Sequence, residues 1–311
     1  MALAIVYHEA YAARLPASHR FPMGKFKALK DVLIAEGLAT EASLYRPDPI
    51  PARWLDLAHE PAYVNAALRL ELPPETERRI GLPITREVVK RACFVAAGTV
   101  LTARLALERG LAANTAGGSH HARRDTGSGF CTFNDVGVAA SVLLREGQVR
   151  RVLVIDLDVH QGDGTAHIFS DDPRVFTFSM HSEKNFPVRK VPSDLDVGLE
   201  DELGDEAYLE TLRAHVPRLV DEVRPDLVFY IGGVDPHKDD RLGRLSLSDE
   251  GLAARDRHVL SACRDRAVPV ACVIGGGYGH DVNVIARRHA TLHRTAAEFV
   301  RSAAPSAWHT A

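Results

Sequence analysis

Near residue 155 an apolar run passes without a break into acids and a histidine, Val154-Ile155-Asp156-Leu157-Asp158-Val159-His160-Gln161-Gly162-Asp163-Gly164. A strand period of two puts Asp156, Asp158 and His160 on one side and Leu157 and Val159 on the other. Two carboxylates and an imidazole thus converge at the carboxyl end of a strand, where open α/β sheets bind their ligands. Burying two carboxylates there without a cation would cost several kcal/mol each. Capping the following helix needs only one acid, so the alternating trio exceeds what a cap requires.

The remaining chain agrees with a parallel sheet. Runs rich in Val, Ile and Leu recur between longer helical patterns, as a sheet covered on both faces requires. Strands are predicted at 3–7, 111–116, 151–157, 174–180, 226–231 and 268–274, and helices at 25–36, 61–70, 85–109, 135–146, 205–223, 249–264 and 282–302. The alternation predicts one α/β domain over residues 1–311, with a central, mostly parallel sheet and helices on both faces. No low-complexity linker or internal repeat divides it. The proline-bounded charged stretch 72–83 reads as a surface loop.

Charge and cysteine content narrow the function. With 38 Lys plus Arg against 41 Asp plus Glu, the net charge of −3 offers no clustered basic footprint for nucleic acid. No stretch approaches the ~20 apolar residues of a membrane span, and the first residues lack a basic leader, so a cytoplasmic protein without membrane contact is expected. Cys93, Cys131, Cys263 and Cys272 form no C-x-x-C pair, which excludes a thiolate zinc site of that kind.

Other predicted strand ends supply matching chemistry. The run 227–231 ends in Gly232-Gly233-Val234-Asp235, delivering another acid to the same sheet edge. With Asp158 and His160 it completes a mixed oxygen and nitrogen set suited to zinc or another borderline divalent ion such as ferrous iron. After the strand 111–116 comes Gly117-Gly118-Ser119-His120-His121, where the glycines allow both rings to enter one pocket. Each ring needs an acceptor to fix its tautomer, and Asp156 and Asp163 are the candidates. The last strand runs into Gly275-Gly276-Gly277-Tyr278. This turn lacks the helix start and the Lys or Ser/Thr of a phosphate loop, but it can place a tyrosine hydroxyl against a developing oxyanion.

These residues together resemble the histone deacetylase family of the arginase/deacetylase fold, most closely its short bacterial class IV-like members. The likeness extends from His19-Arg20-Phe21-Pro22-Met23-Gly24-Lys25-Phe26 through Gly118-Ser119-His120-His121-Ala122, Gly129-Phe130-Cys131, Phe133-Asn134-Asp135 and Asp156 to Gly164, and on to Gly233-Val234-Asp235 and Gly275 to Tyr278. The resemblance implies a parallel sheet of roughly eight strands and hydrolysis of the amide of an acylated lysine, acetyl or longer, or of a related small amine such as an acetylpolyamine. It implies Asp158, His160 and Asp235 as metal ligands, usually for zinc, and His121 with Asp163 as general base and acid. His120 with Asp156 would be the electrostatic companion and Tyr278 the oxyanion donor. Gly129, Phe130 and Phe186 would wall the acyl-lysine tunnel, and a structural potassium ion would lie by Asp156, Asp158, His160, Ser179 and Met180. Gln161 replaces the second histidine of class I members. The acid that grips the substrate backbone in class I has no clear counterpart, with Glu75 and Glu77 as the nearest options. An arginase-like ureohydrolase with two metal ions, or a non-catalytic acyl-lysine-binding protein, are the rival readings.

Overall fold

The computed structural model describes residues 2–302. Seven parallel strands form one sheet: β1 (Ala4–Val6), β2 (Leu111–Asn114), β3 (Val152–Asp156), β4 (Val175–Ser182), β5 (Leu195–Leu199), β6 (Leu227–Ile231) and β7 (Val270–Val273), in the order β1-β2-β7-β6-β3-β4-β5. Apolar side chains alternate between the two faces. Leu153 and Ile155 of β3 join one core and Val152 and Val154 the other, and Val228 and Tyr230 of β6 divide from Leu227, Phe229 and Ile231 in the same way. Both faces are therefore buried, which is why the central strands read as continuous apolar runs.

Ten α-helices and two short 3-10 turns (Glu9–Tyr11 and Glu41–Ser43) accompany the sheet in the described chain: α1 (Lys25–Ala35), α2 (Ala52–Leu55), α3 (Pro61–Arg69), α4 (Pro74–Ile80), α5 (Arg86–Arg109), α6 (Asp135–Arg145), α7 (Asp163–Phe169), α8 (Asp205–Val223), α9 (Asp249–Arg264) and α10 (Val282–Ser302). Every helix predicted from periodicity is present, with ends moved by at most a residue. Their starts follow capping chemistry: Thr85, Asn134 and Ser248 each accept a hydrogen bond from a first-turn amide of α5, α6 and α9.

Several expectations are corrected. The sheet has seven strands among the described residues, not eight. One of them, β5, has no apolar run because it is an edge strand in which residues 195–198 alternate between partial and full exposure and only Leu199 is buried. The stretch 72–83 contains helix α4, entered through Pro74 in its first turn and closed by Gly81 at φ 71°. The short helices α2 and α7 escaped the reading because so few turns show no periodicity. Finally, β3 ends at Asp156, so residues 157–160 lie in a loop and strand alternation does not itself align the trio.

Candidate active site and metal centre

The loops that leave β2, β3, β6 and β7 meet above the carboxyl edge of the sheet. In the β3 loop, side chains and backbone set the convergence that strand alternation was expected to give. The Asp158 amide donates to Asp156 Oδ1 at 3.1 Å and the His160 amide to Asp158 Oδ1 at 3.0 Å. From β6, Asp235 Oδ1 accepts the Val159 amide at 3.0 Å, which ties the two loops together. Asp158, His160 and Asp235 are all buried, and one ligand atom from each lies within 4.8 Å of the others. His160 Nδ1 stands 2.9 Å from Asp158 Oδ1 and 3.1 Å from Asp235 Oδ2.

This cluster fits a divalent cation. Burial, and then the neighbouring Asp158 carboxylate, push Asp235 up to about 7. Burial acts on Asp158 in the same sense, but His120 and His160 outweigh it and hold that group well below the usual carboxylate range. Two acids in a dry site therefore compete for one charge, a conflict that a dication removes. Among the described residues no other group of three or more such side chains converges like this.

The glycine run after β7 owes its composition to this centre. The Gly276 amide donates to Asp158 Oδ2 at 2.6 Å, and a Cβ at Gly276 would stand 2.0 Å from Asp235 Oδ2. Only glycine lets the backbone approach the ligands so closely. On the other side, Gly117 and Gly118 adopt φ of 101° and 72°, and Asp135 accepts the amides of Gly118 (3.2 Å) and Ser119 (2.6 Å). This turn delivers both histidines: His120 Nδ1 lies 2.7 Å from Asp156 Oδ2, and His121 Nδ1 lies 2.6 Å from Asp163 Oδ1. A carboxylate only accepts, so each Nδ1 carries the proton and each Nε2 faces the pocket as the available nitrogen when the ring is neutral.

The two imidazoles differ electrostatically. Burial, and then the charge of His120, lower His121 to about 4, so it is a neutral base near pH 7. Burial would also lower His120, but Asp156 and Asp158 outweigh it and raise the group to about 9. Asp163 is shared: Arg123 donates to its second oxygen from Nε (3.0 Å) and Nη2 (2.8 Å). Tyr278 keeps its phenol proton, because burial and then the charges of Asp235 and Asp158 raise it well above its ordinary value.

Above the metal cluster runs a cavity lined by His121, Gly129, Phe130, His160, Phe186 and Tyr278, among others. Phe186 stands edge-on to His121 with ring centroids 4.8 Å apart, and Phe130 lies 5.9 Å from Tyr278. Phe130 is 8% exposed and Phe186 42%, so one forms the inner wall and the other the lip. A Cβ at Gly129 would meet His121 at 2.5 Å, so glycine keeps this passage open. The catalytic, metal-ligand and tunnel residues expected from the sequence are thus brought to one place, whereas Ser179 and Met180 lie on β4 behind it, where Ser179 pairs in register with Asp156.

The profile of the histone deacetylase domain matches residues 19–294. The chain belongs to the histone deacetylase family. An uncharacterized protein of Picosynechococcus sp. is 51% identical over 296 residues, covering 95% of this chain and 99% of that one. Histone deacetylase 2 of Arabidopsis thaliana is 28% identical, with 89% and 74% covered, and probable histone deacetylase 19 of Zea mays is 31% identical, with 84% and 54% covered. The chain therefore spans about half the length of the maize relative. The crystal structure of the HDA15 HD domain superimposes with a TM-score of 0.80 at 18% identity, covering 96% of this chain and 89% of that one, which establishes the shared fold. Family and fold together support amide hydrolysis of the deacetylase type.

Against that family background, several residues act where the sequence reading assigned them nothing. Gln161 is committed to structure: its Nε2 donates to the Val191 carbonyl (2.8 Å) and Asp196 Oδ1 (2.9 Å), while its Oε1 accepts the Val191 amide. Glu75 and Glu77 do not line the tunnel, and Glu77 Oε1 instead accepts the Ile84 amide. Asp240 Oδ2 accepts the Tyr278 amide at 2.6 Å and fixes the turn that presents the phenol. Arg255 of α9, fully buried, donates to the carbonyls of Gly233 (2.6 Å) and Leu157 (3.3 Å) and pairs with Asp256. It thereby locks the β3 and β6 loops that carry the ligands. A signal existed: Arg255 and Asp256 fall on the same helical face as Leu252, Val259 and Leu260, where charge has no place unless it is paired. A smaller cavity behind Tyr278 contains buried Lys25, whose Nζ donates to the Gly275 carbonyl at 3.2 Å, and buried Arg91.

Proposed function

We propose that the protein is a metal-dependent amidohydrolase that removes an acyl group, acetyl or longer, from a lysine side chain or a related amine. What supports this most is a single juxtaposition: the Asp158, His160 and Asp235 cluster lies at the floor of an aromatic-walled tunnel, beside the His121–Asp163 pair. Zinc, or ferrous iron, held by those three side chains would polarise the acyl carbonyl and make water acidic enough to react at neutral pH.

The chain's own groups account for the remaining steps. Neutral His121 accepts a proton from the attacking water at Nε2, while Asp163 holds the opposite nitrogen and stabilises the imidazolium that forms. The same imidazolium then returns the proton to the departing amine. The Tyr278 hydroxyl donates to the oxygen that becomes negative in the tetrahedral state. His120, held by Asp156, supplies a second positively polarised ring beside it. Phe130, Phe186 and Gly129 enclose the lysine methylenes and exclude water. Asp156, Asp158, His160, Ser179 and Met180 would cradle a potassium ion that steadies the β3 and β4 ends, and residues 1–311 would form a single catalytic domain.

The deciding experiment compares acetyl-lysine peptide, myristoyl-lysine peptide and acetylpolyamine as substrates of the zinc-loaded protein, with a chelated control. Chelator-sensitive turnover of at least one is expected. Failure to hydrolyse any of them at full metal occupancy overturns the proposal.

A further inference from the structure

Three guanidinium groups and no carboxylate line the outer tunnel, and Glu77 lines the adjoining open cavity beside Arg78. Arg20, Arg78 and Arg79 line the cavity together with Phe130 and Phe186, and no Asp or Glu does. They come from separate parts of the chain, Arg20 from the segment before α1 and Arg78 and Arg79 from the last turn of α4. The basic end of a helix partly explains two of them, since cations suit a helix carboxyl terminus. It does not explain Arg20, nor why all three gather at one opening in a chain of net charge −3.

Their placement is fixed by backbone. The Gly129 amide donates to the Arg79 carbonyl at 3.1 Å and the Phe130 amide to the Ile80 carbonyl at 2.7 Å, stapling the end of α4 to the tunnel wall. The Arg20 guanidinium lies over the Phe130 ring, 5.1 Å from its centroid. Arg79 reaches Thr126 Oγ1 at 3.4 Å. All three side chains are exposed, and among the described residues none forms an ion pair. Glu77, the acid nearest in sequence, has its Oε1 on the Ile84 amide.

We infer that these arginines select substrates bearing carboxylates close to the acylated nitrogen. The inference rests on the deacylase reading for its catalytic consequence, but the binding preference stands apart from it. Guanidinium forks match carboxylates in geometry as well as charge, and a positive mouth repels the lysine-rich segments that an acidic rim would attract. Two sources share this chemistry, an acyl-lysine within an acidic peptide and a free acylated amino acid.

The test uses acetyl-lysine peptides flanked by Asp, their Asn isosteres and Lys-flanked counterparts, together with free Nε-acetyl-lysine and its carboxamide. For the zinc-loaded protein, kcat/KM is expected to favour Asp over Asn flanks by about tenfold at low salt, with the ratio shrinking as ionic strength rises. The combined variant Arg20→Gln, Arg78→Gln, Arg79→Gln should bring the ratio to about one, and the matching triple Lys variant, which keeps the charge but loses the planar fork, should retain only part of it. A preference shown by the free amino acid over its carboxamide, without one among the peptides, assigns the site to small substrates. Equal kcat/KM for Asp, Asn and Lys flanks, together with no preference for free Nε-acetyl-lysine over its carboxamide, overturns the inference and leaves the deacylase reading intact. If nothing is hydrolysed, fluorescence anisotropy of the same peptides separates the two: arginine-dependent binding of the Asp-flanked peptide supports the rim, and equal binding overturns it.

Discussion

Replacing Tyr278 with Phe isolates one hydroxyl. The backbone contacts that place the residue, its amide to Asp240 and its carbonyl to the Arg241 amide, survive the change. So do the ring contacts with Phe21 and Phe130, at 6.5 and 5.9 Å between centroids. None of the ligand bonds of Asp158, His160 or Asp235 involves the phenol. What is lost is one donor to the developing oxyanion, worth about 3 to 4 kcal/mol in comparable sites. At about 1.36 kcal/mol per decade, kcat should fall by two to three orders of magnitude. The assay is kcat on a saturating acetyl-lysine peptide, with zinc content by elemental analysis and Tm measured on the same preparation. Zinc content and Tm should match the parent. A kcat within about threefold of the parent at full zinc would remove Tyr278 from the mechanism, since an oxyanion donor cannot be worth so little.

Other perturbations address the remaining parts of the site. Asp235→Asn should leave the protein folded but lower zinc affinity strongly, and full zinc occupancy after dialysis against a weak chelator would refute the ligand assignment. Gly276→Ala forces a methyl to within 2.0 Å of Asp235 Oδ2, so either the ligand or the loop must move. Zinc affinity and turnover should fall together, and a variant with parental values for both would show that the loop has slack. Arg255→Met takes the cation from Asp256, leaving it only the Tyr230 hydroxyl as a donor, and frees the Gly233 and Leu157 carbonyls. A buried pair broken in this way costs about 3 to 5 kcal/mol, or about 5 to 8 °C in Tm for a chain of this size, with zinc affinity about tenfold weaker or more. An unchanged Tm would deny Arg255 its role in joining the loops.

Fold and site were unequally legible in the sequence. The central strands declared themselves because a strand covered on both faces must be apolar throughout, whereas β5, at the edge and half exposed, had no such signature. Helix α4 hid inside a charged, proline-rich stretch, since its brief turns bury only Ile80. The candidate metal ligands and the His120–His121 pair stood out because each lies where an apolar run stops and chemistry-bearing residues begin.

The sequence by itself determined the kind of sheet, the candidate side chains that folding brings together and, through contiguous motifs, the family. Such features are local: period, punctuation and residue type all act within a few positions. Tertiary structure alone decided which groups hold the reacting ones in place. Arg255 reaches Leu157 across 98 residues and Asp240 reaches Tyr278 across 38, separations over which no periodicity carries a signal. The mouth of the tunnel was settled in the same way. Arg20 and the arginines of α4 become neighbours only once Gly129 and Phe130 are bound to the backbone of Arg79 and Ile80, because charge in a linear chain has no position until folding gives it one.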